Sequence, residues 1–158
     1  MNILVLCTGN SARSILLEAF LNHYGRERLR AWSAGSRPAG AVHPQALDLL
    51  SDEGIATDGL RSKSWDEFGR EGAPRMDMVI TVCGSAAGET CPIWPGAPLR
   101  AHWGVNDPAA AAGPDQPAAF RAAFDRLSRR GQALLGLPFE TLSPDELSDA
   151  LRNIGDIE

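Results

Sequence analysis

The stretch Cys7-Thr8-Gly9-Asn10-Ser11-Ala12-Arg13-Ser14 constrains this chain more than any other. Before it, Asn2-Ile3-Leu4-Val5-Leu6 is a short apolar run that reads as a buried strand. After it, Ile15, Leu16, Ala19 and Phe20 recur at helical spacing and predict an amphipathic helix. Strand, tight loop and helix therefore follow one another, with a cysteine at the strand's end and an arginine at the helix's start. The first amides of a helix lack internal partners, and the helix dipole adds partial positive charge there. Such a loop cradles a tetrahedral oxyanion through its N–H groups, so residues Thr8 to Ser14 are the expected anion-binding set. Gly9 is expected to supply a backbone conformation that a Cβ would resist. Arg13 can grip two oxygens through its planar fork. The same field is expected to favour the thiolate of Cys7, lowering its pKa from about 8.5 into roughly 3.5–7.5. Ser11 and Ser14 can donate to the sulfur or the anion. The bland alternative is a buried structural cysteine before an ordinary capped helix. The Cys-x5-Arg-Ser spacing directly after a first strand joins too many independent requirements for that.

At 158 residues the chain is expected to form one domain, 1–158, with a core that needs no disulfide staples. A net charge of −5 argues against a general nucleic-acid or membrane-surface binder, and it makes the positive field of an anion loop a local one. No stretch approaches the roughly 20 apolar residues of a membrane span. With a strand starting at residue 2, no signal peptide is expected, and the cytoplasm is the expected location. Three cysteines in such a chain point to chemistry rather than to staples. Their spacing does not match a zinc site, and His23, His43 and His102 lack ligand spacing, so no metal centre is expected.

Further along, the first helix is expected from about Ala12 to Tyr24, and a second strand from Leu29 to Gly35. A helix should run from His43-Pro44 to about Glu53, closed by Gly54. A short helix is expected around Trp65 to Phe68, and a third strand from Met76 to Val82, with Cys83 at its end. Residues 84–98 read as a loop rich in small residues that holds Cys91. A fourth strand is expected from Leu99 to Trp103, leading to Asp107-Pro108. Phe120, Ala123, Phe124, Leu127, Leu134 and Leu135 mark a long helix. Ser143-Pro144-Asp145-Glu146 starts a last helix, ending near Ile154. Strands alternating with helices predict an α/β fold with a parallel sheet covered on both faces. In such sheets ligands bind at the carboxyl ends of the strands. Cys7, Cys83 and Asp107 each follow a strand and should gather at that edge. Asp107 can move a proton to a departing oxygen or take one from Cys7. Taken alone, it equally reads as the cap of a turn before proline. The loop between Cys83 and Cys91 could bring those thiols together, or bring Cys83 to Cys7.

These residues resemble the low-molecular-weight protein tyrosine phosphatase fold, and within it the arsenate reductases. The likeness rests on Cys7-Thr8-Gly9-Asn10-Ser11-x-Arg13-Ser14, on Val82-Cys83 to Cys91-Pro92, and on His102-Trp103-Gly104 ahead of Asp107-Pro108. It implies a three-layer sandwich around a four-stranded parallel sheet of order 2-1-3-4. It implies Cys7 as nucleophile on arsenate, with Arg13 and the loop amides holding the oxyanion and Asp107 assisting proton transfer. Cys83 would then release arsenite by forming a Cys7–Cys83 disulfide, and Cys91 would pass the bond on to Cys83–Cys91. Thioredoxin or glutaredoxin would reduce that bond by exchange. Some relatives bind a potassium ion beside the loop, and Asn10, Glu18, Ser33 and Asp66 stand near the matching positions. No other cofactor is implied.

Two other functions use the same residues. A tyrosine phosphatase shares the loop and the acid, but those enzymes usually place aromatic residues after Asp-Pro and a proline after Arg-Ser. Here Ala109 to Ala112 and Ile15 stand instead. A thiol sensor would use Cys83 and Cys91 as a switch and has no need of Arg13 and Asp107.

Overall fold

In the computed structural model, which describes residues 1–84 and 98–158, the strand β1 (Asn2–Leu6) has Ile3, Leu4, Val5 and Leu6 all fully buried. Successive strand residues point to opposite faces, so both faces of β1 are covered. The same holds for β3 (Met78–Thr81), whose Met78, Val79 and Ile80 are buried in succession. With β2 (Arg30–Ala34) and β4 (Leu99–His102) they form one parallel sheet in the order β2-β1-β3-β4. Helices on both faces complete three layers, as expected from the alternation of strand and helix.

The register aligns the carboxyl ends of all four strands. Leu6 pairs with Ala34 and with Thr81, and Thr81 pairs with His102. The residues that follow are Cys7, Gly35, Val82-Cys83 and Trp103, so segments distant in sequence leave the sheet side by side. The helices are α1 (Arg13–Gly25), α2 (Pro44–Asp52), a single turn α3 (Asp66–Gly69), α4 (Gln116–Leu135) and α5 (Pro144–Gly155). The element boundaries lie within a few residues of those expected. A 3-10 turn at Arg26–Arg28 was not anticipated.

One expectation fails in an informative way. α1 is not amphipathic: every residue from Ser14 to Leu21 is buried, including Glu18. The helix packs against β1, β2 and α4, so its first two turns have no solvent face. Directly after β4, Trp103 is fully buried and donates from Nε1 to the Leu151 carbonyl of α5 at 3.0 Å. The close approach requires Gly155, where a Cβ would lie 2.8 Å from the His102 carbonyl oxygen. Arg130 of α4, also buried, donates to the carbonyls of Trp103 and Gly104 at 2.8 and 3.1 Å. Truncating a buried aromatic costs about 3–5 kcal/mol, and Trp103 is such a core anchor. Ser143 caps α5 by accepting from the Glu146 amide, as its sequence predicts.

Candidate active site

The loop after β1 is shaped from outside by its carbonyls. Thr8 O accepts from the Arg37 amide at 3.0 Å, Gly9 O from the Ala39 amide at 2.9 Å, and Ser11 O from the His43 amide at 2.8 Å. A trans peptide points its N–H opposite to the preceding carbonyl. The amides of Gly9, Asn10 and Ala12 are therefore turned away from those partners, toward the inside of the loop. No side chain caps α1 at Ala12, and its first turn holds no acidic residue, so the amides there stay available to an anion.

The left-handed residue of the loop is Asn10, with φ 44°, and not Gly9 as expected. The asparagine side chain is what holds this strained conformation. It is fully buried, accepts from the Lys63 amide at 2.9 Å, and donates to Ser14 Oγ at 2.8 Å and Ser33 Oγ at 2.9 Å. Asn10 and Ser14 thus brace the loop from below. The glycine the site requires is Gly35, at the end of β2. A Cβ there would stand 2.3 Å from Thr8 O and 2.5 Å from Cys7 O. The only signal for it in the sequence was a glycine directly after a strand.

Cys7, Thr8, Gly9, Ser11, Ala12, Arg13, Cys83, Gly84, Asp107 and Ala109 line one cavity of about 430 Å³. The sheet edge has brought together four of the five residues expected to carry the chemistry. The fifth, Cys91, lies outside the described residues. Arg13 donates from Nη1 to Val105 O at 3.0 Å, and its Nη2 stands 3.9 Å from Asp107 Oδ2. Its Nε is buried and makes no hydrogen bond among the described residues. A bound oxyanion would satisfy that donor. Asp107 is the turn cap that its sequence allowed, and it also faces the cavity. Its Oδ1 accepts from the Ala109 amide at 3.0 Å and caps the following turn, while Oδ2 faces Arg13. The carboxylate is thus oriented at the mouth of the cavity.

The second sulfur changes the expected state of the first. Cys7 shares a hydrogen bond with the Cys83 side chain, and this contact together with burial pushes the Cys7 thiol well above its ordinary value. The charge of Arg13 and the Gly9 amide pull it down but do not prevail. The second sulfur therefore opposes the thiolate that the loop and Arg13 favour. The local sequence displays the amides and the arginine but not the sulfur brought against them by β3. Cys83 in turn receives the Thr8 amide at 3.3 Å, with Thr8 Oγ1 at 3.6 Å. Two sulfurs at one anion site titrate as a pair. Cys83→Ala removes the largest influence that raises Cys7. The apparent pKa of Cys7 should therefore fall, and iodoacetamide should label it several-fold faster at neutral pH in the variant. Peptide-resolved alkylation against pH reads this, and an unchanged or higher Cys7 pKa would show that Cys83 does not hold the proton there.

The residues 2–147 match the family described as low molecular weight phosphotyrosine protein phosphatase. The chain belongs to that family. It is 36% identical to an arsenate reductase of Halalkalibacterium halodurans over 81% of this chain and 90% of that protein. It is 33% identical to an arsenate reductase of Bacillus subtilis, over the same shares of the two chains. The crystal structure of an arsenate reductase from Archaeoglobus fulgidus superposes with a TM-score of 0.66 at 26% identity, covering 85% of this chain and 99% of that one. The paired sulfurs of Cys7 and Cys83 are a feature that phosphoester hydrolysis does not need.

Proposed function

We propose that this chain reduces arsenate to arsenite with Cys7 as the nucleophile, residues 1–158 acting as one catalytic domain. The observation that carries the reading is the second sulfur. Cys83 lines the same oxyanion cavity as Cys7, where a hydrolase would need only water. Arsenate, a tetrahedral oxyanion, occupies the loop between the inward amides of residues 9–14 and the unpaired Nε of Arg13. Cys7 passes its proton to an arsenate oxygen and attacks arsenic as the thiolate, so that an As–S bond replaces an As–O bond. Asp107 delivers the proton with which the departing oxygen leaves as water.

Cys83 then attacks the Cys7 sulfur. The S–S bond forms, the As–S bond breaks, and its electron pair leaves with arsenic, which departs as arsenite. Cys91, in the loop beyond Cys83, displaces Cys7 from that bond and forms Cys83–Cys91. A dithiol protein, thioredoxin or glutaredoxin, reduces it by exchange, which places the reaction in the reducing cytoplasm. A protein tyrosine phosphatase is the competing reading. It is disfavoured because no aromatic side chain lines the cavity among the described residues, and alanines follow Asp107-Pro108.

Steady-state arsenite production, with thioredoxin and its reductase or with glutathione and glutaredoxin, tests the proposal. Sustained turnover with one of the two systems is expected. Hydrolysis of phosphotyrosine with no arsenite from either system would favour the phosphatase. Asp107→Asn keeps the shape and removes the proton chemistry, so arsenate turnover should fall roughly 10²–10⁴-fold. Turnover within a few-fold of the parent would leave Asp107 as a turn cap only.

A further inference from the structure

Beneath the anion loop lie two buried charges that the relay does not use, Glu18 and Lys63, 8% and 6% exposed. The third buried charge among the described residues, Arg130, is committed to the carbonyls of Trp103, Gly104 and Ile157. Glu18 heads a directed chain of hydrogen bonds. Ser33 Oγ donates to Glu18 Oε2 at 2.7 Å and accepts from Asn10 Nδ2 at 2.9 Å, while Asn10 Oδ1 accepts from the Lys63 amide at 2.9 Å. An ionised carboxylate can only accept. It thereby fixes the direction of the Ser33 proton, the orientation of the Asn10 amide, and through it the one left-handed residue of the loop. The Lys63 amide, which can only donate, fixes the same sense from the other end.

Burial works against that charge, and Lys63 is the first among the influences that sustain it. Glu18 likewise sustains the buried Lys63 ammonium, whose Nζ donates to Arg61 O at 3.1 Å. With Lys63 in place, the residues named for a potassium ion have no need of one. Asp66 is exposed at the start of α3, outside the buried cluster. The buried Lys63 ammonium already supplies the positive charge that sustains Glu18.

We propose that Lys63 is a built-in counter-cation for Glu18, a positioning residue that sets the anion loop through Ser33 and Asn10 and makes the site independent of potassium. The inference rests on the anion-loop reading but not on the cysteine relay. Its test is therefore the binding of inorganic phosphate, measured by calorimetry in KCl, NaCl and choline chloride at equal ionic strength. The parent's phosphate Kd should agree within about twofold in all three salts. Lys63→Met should weaken phosphate binding about tenfold in choline chloride, within the range usual for such coupling, and KCl should restore it. Lys63→Arg, which keeps the charge, should bind phosphate within a few-fold of the parent whatever the salt. A parent that needs potassium for its phosphate affinity would overturn the proposal. So would a Lys63→Met variant that binds like the parent in choline chloride, or one whose loss KCl does not repair. If Lys63→Met does not fold, the parent's salt comparison and Lys63→Arg still decide. An arginine variant that folds but loses phosphate affinity would show that packing, not charge, is what Lys63 supplies.

Discussion

Cys7→Ser should abolish arsenate reduction, with a loss on the order of 10⁶-fold, as for removal of other covalent nucleophiles. The reason is geometric as much as chemical. Cys7 is the residue where β1 ends, and its amide donates to Ala34 O at 3.2 Å, so its position is fixed by the sheet. The other described thiol, Cys83, leaves the sheet from the neighbouring strand β3 and receives the Thr8 amide. It cannot take over the place at the floor of the loop. A serine oxygen at Cys7 would be a far poorer nucleophile and could not form the disulfide that carries the electrons. Near-UV circular dichroism should stay parental, because the side chain is nearly isosteric, and phosphate should still bind. Residual arsenite production above a few per cent of the parental rate would place the nucleophile elsewhere.

Arg13→Lys should lower kcat for arsenate by about 10²–10³-fold, the loss typical when one preorganised donor to a developing oxyanion is removed. Arg13 opens α1, spans to Val105 O, faces Asp107 and still has a buried Nε without a partner among the described residues. Lysine keeps the charge but has a single point of donation, so it cannot hold Val105 and an oxyanion in one plane. Thermal stability should change little beside the kinetic effect. Parental kinetics in this variant would remove Arg13 from the oxyanion site.

What could be read from the sequence is what depends on neighbouring residues. The β1-loop-α1 unit is legible because an apolar run, a tight turn and a helical pattern follow one another without interruption. The convergence of Cys7, Cys83 and Asp107 is legible because a parallel sheet puts the ends of its strands at one edge. The Ser143 cap is legible because capping is local. The features that escaped depend on pairings between distant segments. Asn10, not Gly9, takes the left-handed conformation because Lys63, Ser33 and Ser14 converge on its amide. Gly35 is required because β2 ends against the carbonyls of Cys7 and Thr8. Glu18 looks like the polar face of a helix until Ser33 and Lys63 are seen around it. The influence of Cys83 on Cys7 escapes the local sequence for the same reason, since that thiol arrives from β3. Cys91, which the relay needs last, lies outside the described residues.

The relay itself is the central claim, and a trapped disulfide tests it most directly. Cys91→Ser should accept one equivalent of arsenate, release one arsenite and stop. Peptide mapping by mass spectrometry should then find Cys7 joined to Cys83, while Cys83→Ser, treated alike, yields neither that bond nor catalytic turnover. Both variants should keep whatever activity the parent has on p-nitrophenyl phosphate, since that reaction uses Cys7, Arg13 and Asp107 alone. If instead both variants sustain thioredoxin-driven arsenate turnover at the parental rate, with no Cys7–Cys83 peptide, the cysteine relay is contradicted.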